Sequence, residues 1–445
     1  MNDSWKVQST AMDGSVTFMD FVKLFHNDWN QHIQHVTSDK ECKINQRVLL
    51  PTLNFTSVMD IRVFAKGRPD DLIYAKNQYA RENIPRGNFI AEIKGQYYYP
   101  LLRAFPKFTG MEDDGECNLI SNNISDFFIQ SKKKAKYVLV TKKENGEAAH
   151  LSILKLKNGK YLYVIGSKNV HLIVSNKSEI KETTKYVGHD PYVAARPIAL
   201  ALFDMMDAME KSTRILFCEL LSSTRATASF EILCPSHQHV ESLDHYQKNT
   251  PIFYGLTLPS LRHQSVKGTE LCLNPILYME WLKKNSCCCV VPYTIVEIDV
   301  FYEQVHSFYY VENKDRIEGY VILYLNDEWD VIGMEKMKTL WYISLRAIRE
   351  KGKWLIKKLM KEKNNTKNKQ DDVIQTKIAL SKRFIAIQNF VGVKSTCMER
   401  YKSLGDAFLD YLHTAALVEK SDVKTEMIDM FPKVWAAFLV ETQHN

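Results

Sequence analysis

Lys142-Lys143-Glu144-Asn145-Gly146 is the stretch from which this chain is best read. It stands between two apolar, β-rich runs, Tyr137-Val138-Leu139-Val140-Thr141 and Ala149-His150-Leu151-Ser152-Ile153-Leu154. The Asn-Gly pair turns the chain between them. A lysine at the end of a strand, with a turn behind it, is held on a rigid element and pointed at whatever lies over the sheet. Taken alone, such a string marks an ordinary exposed turn. Two later lysines, Lys336 and Lys338, alternate on a second strand-like run.

The bulk numbers bound the class. A chain of 445 residues exceeds one typical core, so two or three domains are expected. Hydrophobic residues make up 45% and charged residues 25%, an ordinary globular balance. A net charge of +7 tilts the chain mildly toward polyanionic partners. No run approaches the roughly 20 apolar residues of a membrane span. Met1-Asn2-Asp3-Ser4-Trp5 lacks the basic-then-apolar pattern of a signal peptide. Nine cysteines, three of them consecutive at Cys287, Cys288 and Cys289, do not read as a disulfide framework. An intracellular, reducing compartment, cytoplasm or nucleus, is therefore expected. His237-Gln238-His239 is the nearest approach to a metal-ligand spacing and reads as a polar loop after a strand.

Working outward, residues 1–45 form an N-terminal extension. Phe18, Met19, Phe21, Val22, Leu24, Phe25 and Trp29 recur at helical spacing and predict a helix packed on the body. Residues 46–345 carry strand signals, including 58–64, 88–93 and 96–99, with Lys94-Gly95 turning between the last two. Arg86-Gly87 precedes one of these strands. In Phe105-Pro106-Lys107-Phe108 two aromatics can anchor while the lysine projects. Residues 111–126 read as a surface loop, and Lys132-Lys133-Lys134 as a solvated basic run. Lys157-Asn158-Gly159-Lys160 is a hairpin turn. Residues 191–212 predict a core helix, and 268–293 a helix followed by the cysteine cluster. Glu231 lies inside the apolar strand 228–235, where a lone carboxylate needs a partner or a metal. Glu318-Gly319 opens the strand 317–324, and Lys336 and Lys338 share one face of its partner, 331–339. Residues 346–445 change character: lysines crowd 349–369, then three helical segments follow near 374–391, 397–419 and 424–441. The chain is thus α+β, with antiparallel sheets and an all-helical C-terminal domain.

These side chains suit one chemistry. Carboxylates can hold Mg²⁺ directly or through its waters. Lysines and arginines cradle phosphates. A lysine amine is a nucleophile only when neutral, and nearby cations and burial lower its pKa toward that state. Attack by such an amine on the α-phosphate of a nucleotide, with pyrophosphate leaving in line, needs positioning and charge neutralisation.

Their order resembles the covalent nucleotidyltransferases, and among them the RNA ligases. The nearest likeness is to the phage tRNA-repair RNA ligase and the ligase domains of fungal and invertebrate tRNA ligases, over residues 55–345. Lys143-Glu144-Asn145-Gly146 looks like the nucleotidyl-lysine motif, Ser167-Lys168 like the motif after it, and Phe230-Glu231-Ile232 like the third. Ile317-Glu318-Gly319-Tyr320-Val321 is similar to the fourth, and Glu335-Lys336-Met337-Lys338-Thr339, with Trp341-Tyr342 behind it, to the fifth. Arg86-Gly87-Asn88-Phe89 and Phe105-Pro106-Lys107-Phe108 look like the two upstream elements of this branch.

The resemblance implies an ATP-grasp-like nucleotidyltransferase fold and a set of roles. Lys143 would carry AMP, with Lys336 and Lys338 catalytic on the α-phosphate. Arg86, Lys107 and Lys168 would meet the other phosphates, and Glu144 and Asn145 would border the nucleotide. Glu231 and Glu318 would organise Mg²⁺ or Mn²⁺ and the ribose, and Tyr254 or Phe253 would stack on adenine. The implied reaction uses ATP to join an RNA 5′-phosphate to a 3′-OH. The implied partners are tRNA halves or nicked tRNA, with separate end-healing enzymes, since no G-K-[ST] phosphate loop or H-x-T pair is present. Many relatives carry Asp at position 145, and an amide there cannot ionise. The Asn form resembles the tRNA-ligase branch. A capping-type enzyme using GTP, and a non-catalytic RNA-binding protein on the same scaffold, are the alternative readings.

Overall fold

The computed structural model of the chain describes residues 18–48, 55–93, 97–110, 124–156, 158–182, 190–310, 316–361, 366–391, 395–417, 426–427 and 429–443. The turn at Lys94-Gly95 and most of the 111–126 loop lie outside them.

Three sheets build the body, from strands β1 (Cys42–Val48), β2 (Phe55–Val63), β3 (Asn88–Ile93), β4 (Tyr97–Arg103), β5 (Thr109–Gly110), β6 (Tyr137–Lys143), β7 (Glu147–Lys155), β8 (Tyr161–Ser167), β9 (His171–Val174), β10 (Thr227–Leu233), β11 (Thr250–Thr257), β12 (Cys289–Val290), β13 (Tyr293–Glu297), β14 (Gly319–Leu325) and β15 (Val331–Lys338). One sheet runs β1-β2-β3-β4, a second β12-β11-β10-β7-β8-β9 and a third β13-β6-β14-β15-β5. Among the described residues, the strand pairings are antiparallel except β11–β12 and β15–β5, two-residue contacts at the edges.

Side chains alternate between the faces of each strand, and strands such as β3 and β7 are buried on both. Helix α1 (Phe18–Ser38) sets Trp29, Ile33 and Val36, at i, i+4 and i+7, against Met59, Ile61 and Ile90 on one face of the first sheet. The opposite face carries Phe89, Ala91 and Leu101, which meet Leu154, Leu162 and Val164 of the second sheet. The largest core joins the second sheet to Leu139, Leu323 and Met334 of the third. Strand β1 pairs along its whole length with β2, so continuous structure crosses the 45/46 boundary drawn from sequence.

Two short helices follow β2, α2 (Asp70–Lys76) and α3 (Gln78–Asn83). Residues 177–182 form α4 (Lys177–Glu182). The helix expected over 191–212 is α5 (Ala195–Asp207). A further one, α6 (Lys211–Thr224), was not legible because Ile215, Leu216, Phe217 and Cys218 run together without helical spacing and the first two are exposed; Phe217, Cys218 and Leu221 are its buried anchors. Helix α7 (Pro275–Lys284) falls in the expected helical stretch, with Asn274 accepting from the Ile276 and Leu277 amides as its N-cap. Helix α8 (Ile298–Tyr310) is a second addition, packing Phe301 against Val138, Val140 and Ile322.

The C-terminal region is helical: α9 (Leu340–Lys361), α10 (Thr366–Val391), α11 (Ser395–Leu417) and α12 (Phe431–Glu441). Their core, built on Ile348, Leu355, Leu380, Phe408, Phe431 and Phe438, also takes in Val240 from the body. Helix α9 runs unbroken across the 345/346 boundary, with Thr339 Oγ1 accepting from the Tyr342 amide at its start. The lysine-rich stretch is therefore helical up to Lys361, and one of its lysines, Lys358, pairs with Asp372 at 2.6 Å.

Candidate active site

Register places the lysines. On the third sheet, Gly319 pairs with Lys143 on one side and Lys338 on the other. Directly paired residues share a face, so the row reads Lys143–Gly319–Lys338. The next row is Thr141–Val321–Lys336, and the one after is Leu139–Leu323–Met334, which enters the core. One face thus passes from apolar to cationic along its length. Strands two apart are separated by about 10 Å, and Gly319 puts no side chain between the flanking lysines. Both ammonium groups can therefore reach a single group lying over Gly319. That glycine is obligatory: its φ is +152°, and a Cβ would strike the carbonyl oxygen of Met337.

The second sheet brings the carboxylates. The chain leaves β6 after Lys143, turns at Asn145-Gly146 and enters β7. Gly146 lies so close to the Ile232 carbonyl that a Cβ would not fit. Its amide donates to Glu231 Oε1 at 3.1 Å. Lys143, whose side chain is 26% exposed, sets its Nζ 2.6 Å from Glu318 Oε1. Burial lowers the Lys143 pKa, but Glu318 and Glu231 outweigh it and hold the ammonium above its ordinary value. Burial pushes the Glu231 carboxyl up to about 7, against the pull of Lys143.

Asn145 is the tie of the site. It is buried, with 4% exposure. Its Nδ2 donates to Glu318 Oε2 at 2.5 Å and lies 3.4 Å from Tyr342 Oη, while its Oδ1 accepts from the amides of Val240 and Glu241 at 3.1 and 3.2 Å. The amide oxygen and nitrogen are both used, which a carboxylate could not reproduce. Beside it Glu144, also buried, accepts from Lys142 Nζ at 2.7 Å.

The upstream elements add two ion pairs. Arg86 pairs with Asp70, and Lys107, only 5% exposed, pairs with Asp71. Burial, then the charges of Arg86 and Lys336, lower Lys107 to about 8. Asp71 is drawn down to about 2, the attraction of Lys107 overcoming the cost of burial. Lys168 follows β8 and sits within electrostatic reach of Arg86 and Glu231. Thus Arg86 and Lys336 lie within electrostatic reach of Lys107, and Arg86 within reach of Lys168.

Of the two aromatics proposed for adenine, Phe253 is fully buried and meets Phe230 and Tyr278 edge-on at 5.5 Å, so it belongs to the core. The β10–β11 register skips from Ser229–Gly255 to Phe230–Phe253, leaving Tyr254 as the extra residue of a bulge. Tyr254 turns to the other face, with its ring 5.7 Å from Phe105 and its hydroxyl near Glu231 and Arg86. From the basic run, Lys132 is committed elsewhere: it pairs with buried Glu335 at 2.8 Å.

Three residues of the site were missed in the sequence. Glu241 accepts a hydrogen bond from the Glu318 amide, and burial pushes its carboxyl up to about 7. It follows the His-Gln-His run in what looked like a polar loop, and no local signal marks it. Asp70 and Asp71 could have been suspected from Pro69-Asp70-Asp71, a helix-start pattern.

No family model matches the chain, and no curated protein does. Among solved structures it is similar to an archaeal ATP-dependent RNA ligase in two crystal forms. Form 1 shares 11% identity over 88% of this chain and 79% of that one, with a TM-score of 0.45. Form 2 gives 10%, 88%, 78% and 0.42. A Naegleria gruberi RNA ligase mutant with ATP and Mn shares 11% over 69% of this chain and 99% of its own, with a TM-score of 0.33.

Proposed function

We propose that this protein is an ATP-dependent RNA ligase that works through an adenylylated Lys143. The reading rests on one observation above all: Lys143 and Lys338 flank side-chain-free Gly319, with Lys336 on the same face, opposite Glu231 and Glu318. In the first step the Lys143 ammonium loses a proton, for which Glu318 Oε1 at 2.6 Å is the nearest acceptor. The amine lone pair attacks the α-phosphorus of ATP. An N–P bond forms, the α–β P–O bond breaks, and pyrophosphate leaves. Lys336 and Lys338 neutralise charge on the α-phosphate, while Arg86, Lys107 and Lys168 hold the remaining phosphates. Tyr254 stacks on the adenine, and Glu144 and Asn145 shape the pocket wall. In the second step a 5′-phosphate oxygen of RNA attacks the same phosphorus and frees Lys143. In the third, an RNA 3′-OH attacks the 5′-phosphate and AMP departs.

The residues fit a divalent cation. Glu231, Glu318 and Glu241 supply hard oxygen donors, and two of them have carboxyls raised by burial, an environment that favours neutralisation by Mg²⁺ or Mn²⁺. Glu231 and Glu318 would hold it. When bound, the ion would draw the carboxylate charge away from Lys143 and favour the neutral amine.

The Asn145 form of the motif supports a tRNA-like substrate, with ends prepared by separate enzymes and with the C-terminal lysines following the RNA backbone. Labelled ATP and GTP with Mg²⁺ test the first step. ATP alone should stay on the denatured wild type, and neither nucleotide on Lys143→Ala. Labelling by GTP alone would make the protein a capping-type enzyme. Absence of any label would leave an RNA-binding scaffold. Joining of a nicked anticodon stem-loop, compared with unstructured RNA, tests the substrate.

A further inference from the structure

A second group of ligand atoms lies apart from Lys143 and its carboxylates, where β7 meets the C-terminal helices. Glu147 opens β7, two positions past Asn145. His237 and His239 come from the segment after β10. His239 Nε2 is 3.1 Å and His237 Nε2 3.6 Å from Glu147 Oε1. One ligand atom from each of the three lies within 4.8 Å of the others. A tetrahedral ion with bonds of about 2.05 Å sets its ligands roughly 3.3 Å apart, so the two measured separations bracket that edge.

The loop is built to present these rings. Gln238 between them is 1% exposed and fixed on every side. Its Nε2 donates to Pro235 O at 2.8 Å and Asp244 Oδ1 at 2.7 Å, and its Oε1 accepts from the Leu243 amide at 2.9 Å. Its backbone amide donates to Asp429 O at 2.6 Å. With the glutamine anchored inward, both imidazoles turn outward to Glu147. The rings keep 40% and 26% side-chain exposure, so an ion can enter from solvent. His237 has a second carboxylate behind it: Nδ1 lies 3.3 Å from Asp429 Oδ1. An imidazole that donates from one nitrogen to a carboxylate presents the lone pair of the other, as metal-bound histidines do. His239 Nδ1 lies 3.4 Å from Arg349 Nη2, a contact that must open when Nδ1 carries the proton.

We propose that Glu147, His237 and His239 bind a divalent transition-metal ion of the Zn²⁺ type, with solvent as fourth ligand. Two imidazoles and one carboxylate select such an ion over Mg²⁺, which prefers all-oxygen shells. Asp429 stands next to α12, so the ion would fasten the strand after the Lys143 motif to the C-terminal helices. The proposal does not depend on the ligase reading.

The test uses the full chain, stripped with a chelator and titrated with Zn²⁺ against a chromophoric competitor. His237→Gln/His239→Gln, Glu147→Gln and Asp429→Asn are titrated beside it, with melting curves to confirm that each is folded. All four proteins carry the same nine cysteines, so thiol binding is a common background. Wild type should take up one equivalent more than the double histidine variant and should melt higher with Zn²⁺, a shift the double variant lacks. Glu147→Gln should bind at least about tenfold more weakly, and Asp429→Asn about 10-fold more weakly, as for groups that orient a ligand. Equal stoichiometry and affinity in wild type and the double variant would overturn the proposal, as would a Zn²⁺ shift of equal size in both.

Discussion

Replacing Asn145 with Asp sets a carboxylate where an amide now donates to Glu318 Oε2 at 2.5 Å. Two ionised carboxylates at that separation repel by roughly 5–7 kcal/mol at an effective dielectric near 20, an upper bound. Keeping a proton on one of them at pH 7 costs about 4 kcal/mol, because an ordinary carboxyl titrates near 4 and each unit is about 1.4 kcal/mol. The smaller cost wins, so the pair holds one shared proton. The Val240 and Glu241 amides still donate to Oδ1 and favour the ionised form at position 145. Without divalent ions, the variant should therefore be destabilised by about 4 kcal/mol at pH 7, a melting shift of about 4 °C for a chain of this length unfolding as one unit. The deficit should shrink by about 1.4 kcal/mol for each unit of acidification toward pH 5, because the proton becomes easier to keep. Saturating Mg²⁺ or Mn²⁺ should restore most of it by replacing the proton. Calorimetric melts of wild type and variant between pH 5 and 8, with chelator and with metal, measure all three terms. A variant that melts with wild type at pH 7, or a deficit independent of pH and metal, would refute the assignment of the Asn145 amide as a donor to Glu318.

Glu231→Gln should stabilise the metal-free protein above pH 7. A carboxyl raised to about 7 loses stability as pH climbs from its unfolded value toward 7, and glutamine removes that term; the gain should vanish near pH 4 in the same melts. Phe253→Ala should cost about 3–5 kcal/mol in denaturant unfolding, the usual result of emptying an aromatic core site. Tyr254→Ala should cost less than Phe253→Ala in the same unfolding, since its ring is only partly buried against the core, and should raise the ATP concentration needed for half-maximal labelling. Gly319→Ala should abolish labelling, since its Cβ meets the Met337 carbonyl and disrupts the pairing of β14 with β15; labelling at the wild-type rate would show that the lysine row tolerates a side chain at its centre.

What could be read from sequence was whatever local pattern carries. That Lys143 ends a strand, that Gly319 opens one and that Lys336 and Lys338 share a face could be read because a strand's period fixes each face. The antiparallel sheets and the helical C-terminal region followed from the same periodicity. Tyr254 and Phe253 could not be separated, because a bulge is set by the partner strand. Glu241 was invisible because its work is done across the fold, on the amide of Glu318. Asp70 and Asp71 were passed over because their meaning depends on Arg86 and Lys107 lying opposite them. Helix α6 was hidden because its apolar run, Ile215 to Cys218, shows no helical period and leaves Ile215 and Leu216 exposed.

The hydrogen bonds of Asn145 reach past chemistry into the mechanics of the whole chain. One side chain touches the start of β14, the segment that follows β10, and the first turn of α9. Val240, whose amide it accepts, is at the same time part of the C-terminal helical core. The helices therefore cannot swing or melt away without pulling on the turn that follows Lys143. A chain cut before α9 would lose Tyr342 and uncover Val240, so body and bundle should come apart in a single cooperative transition.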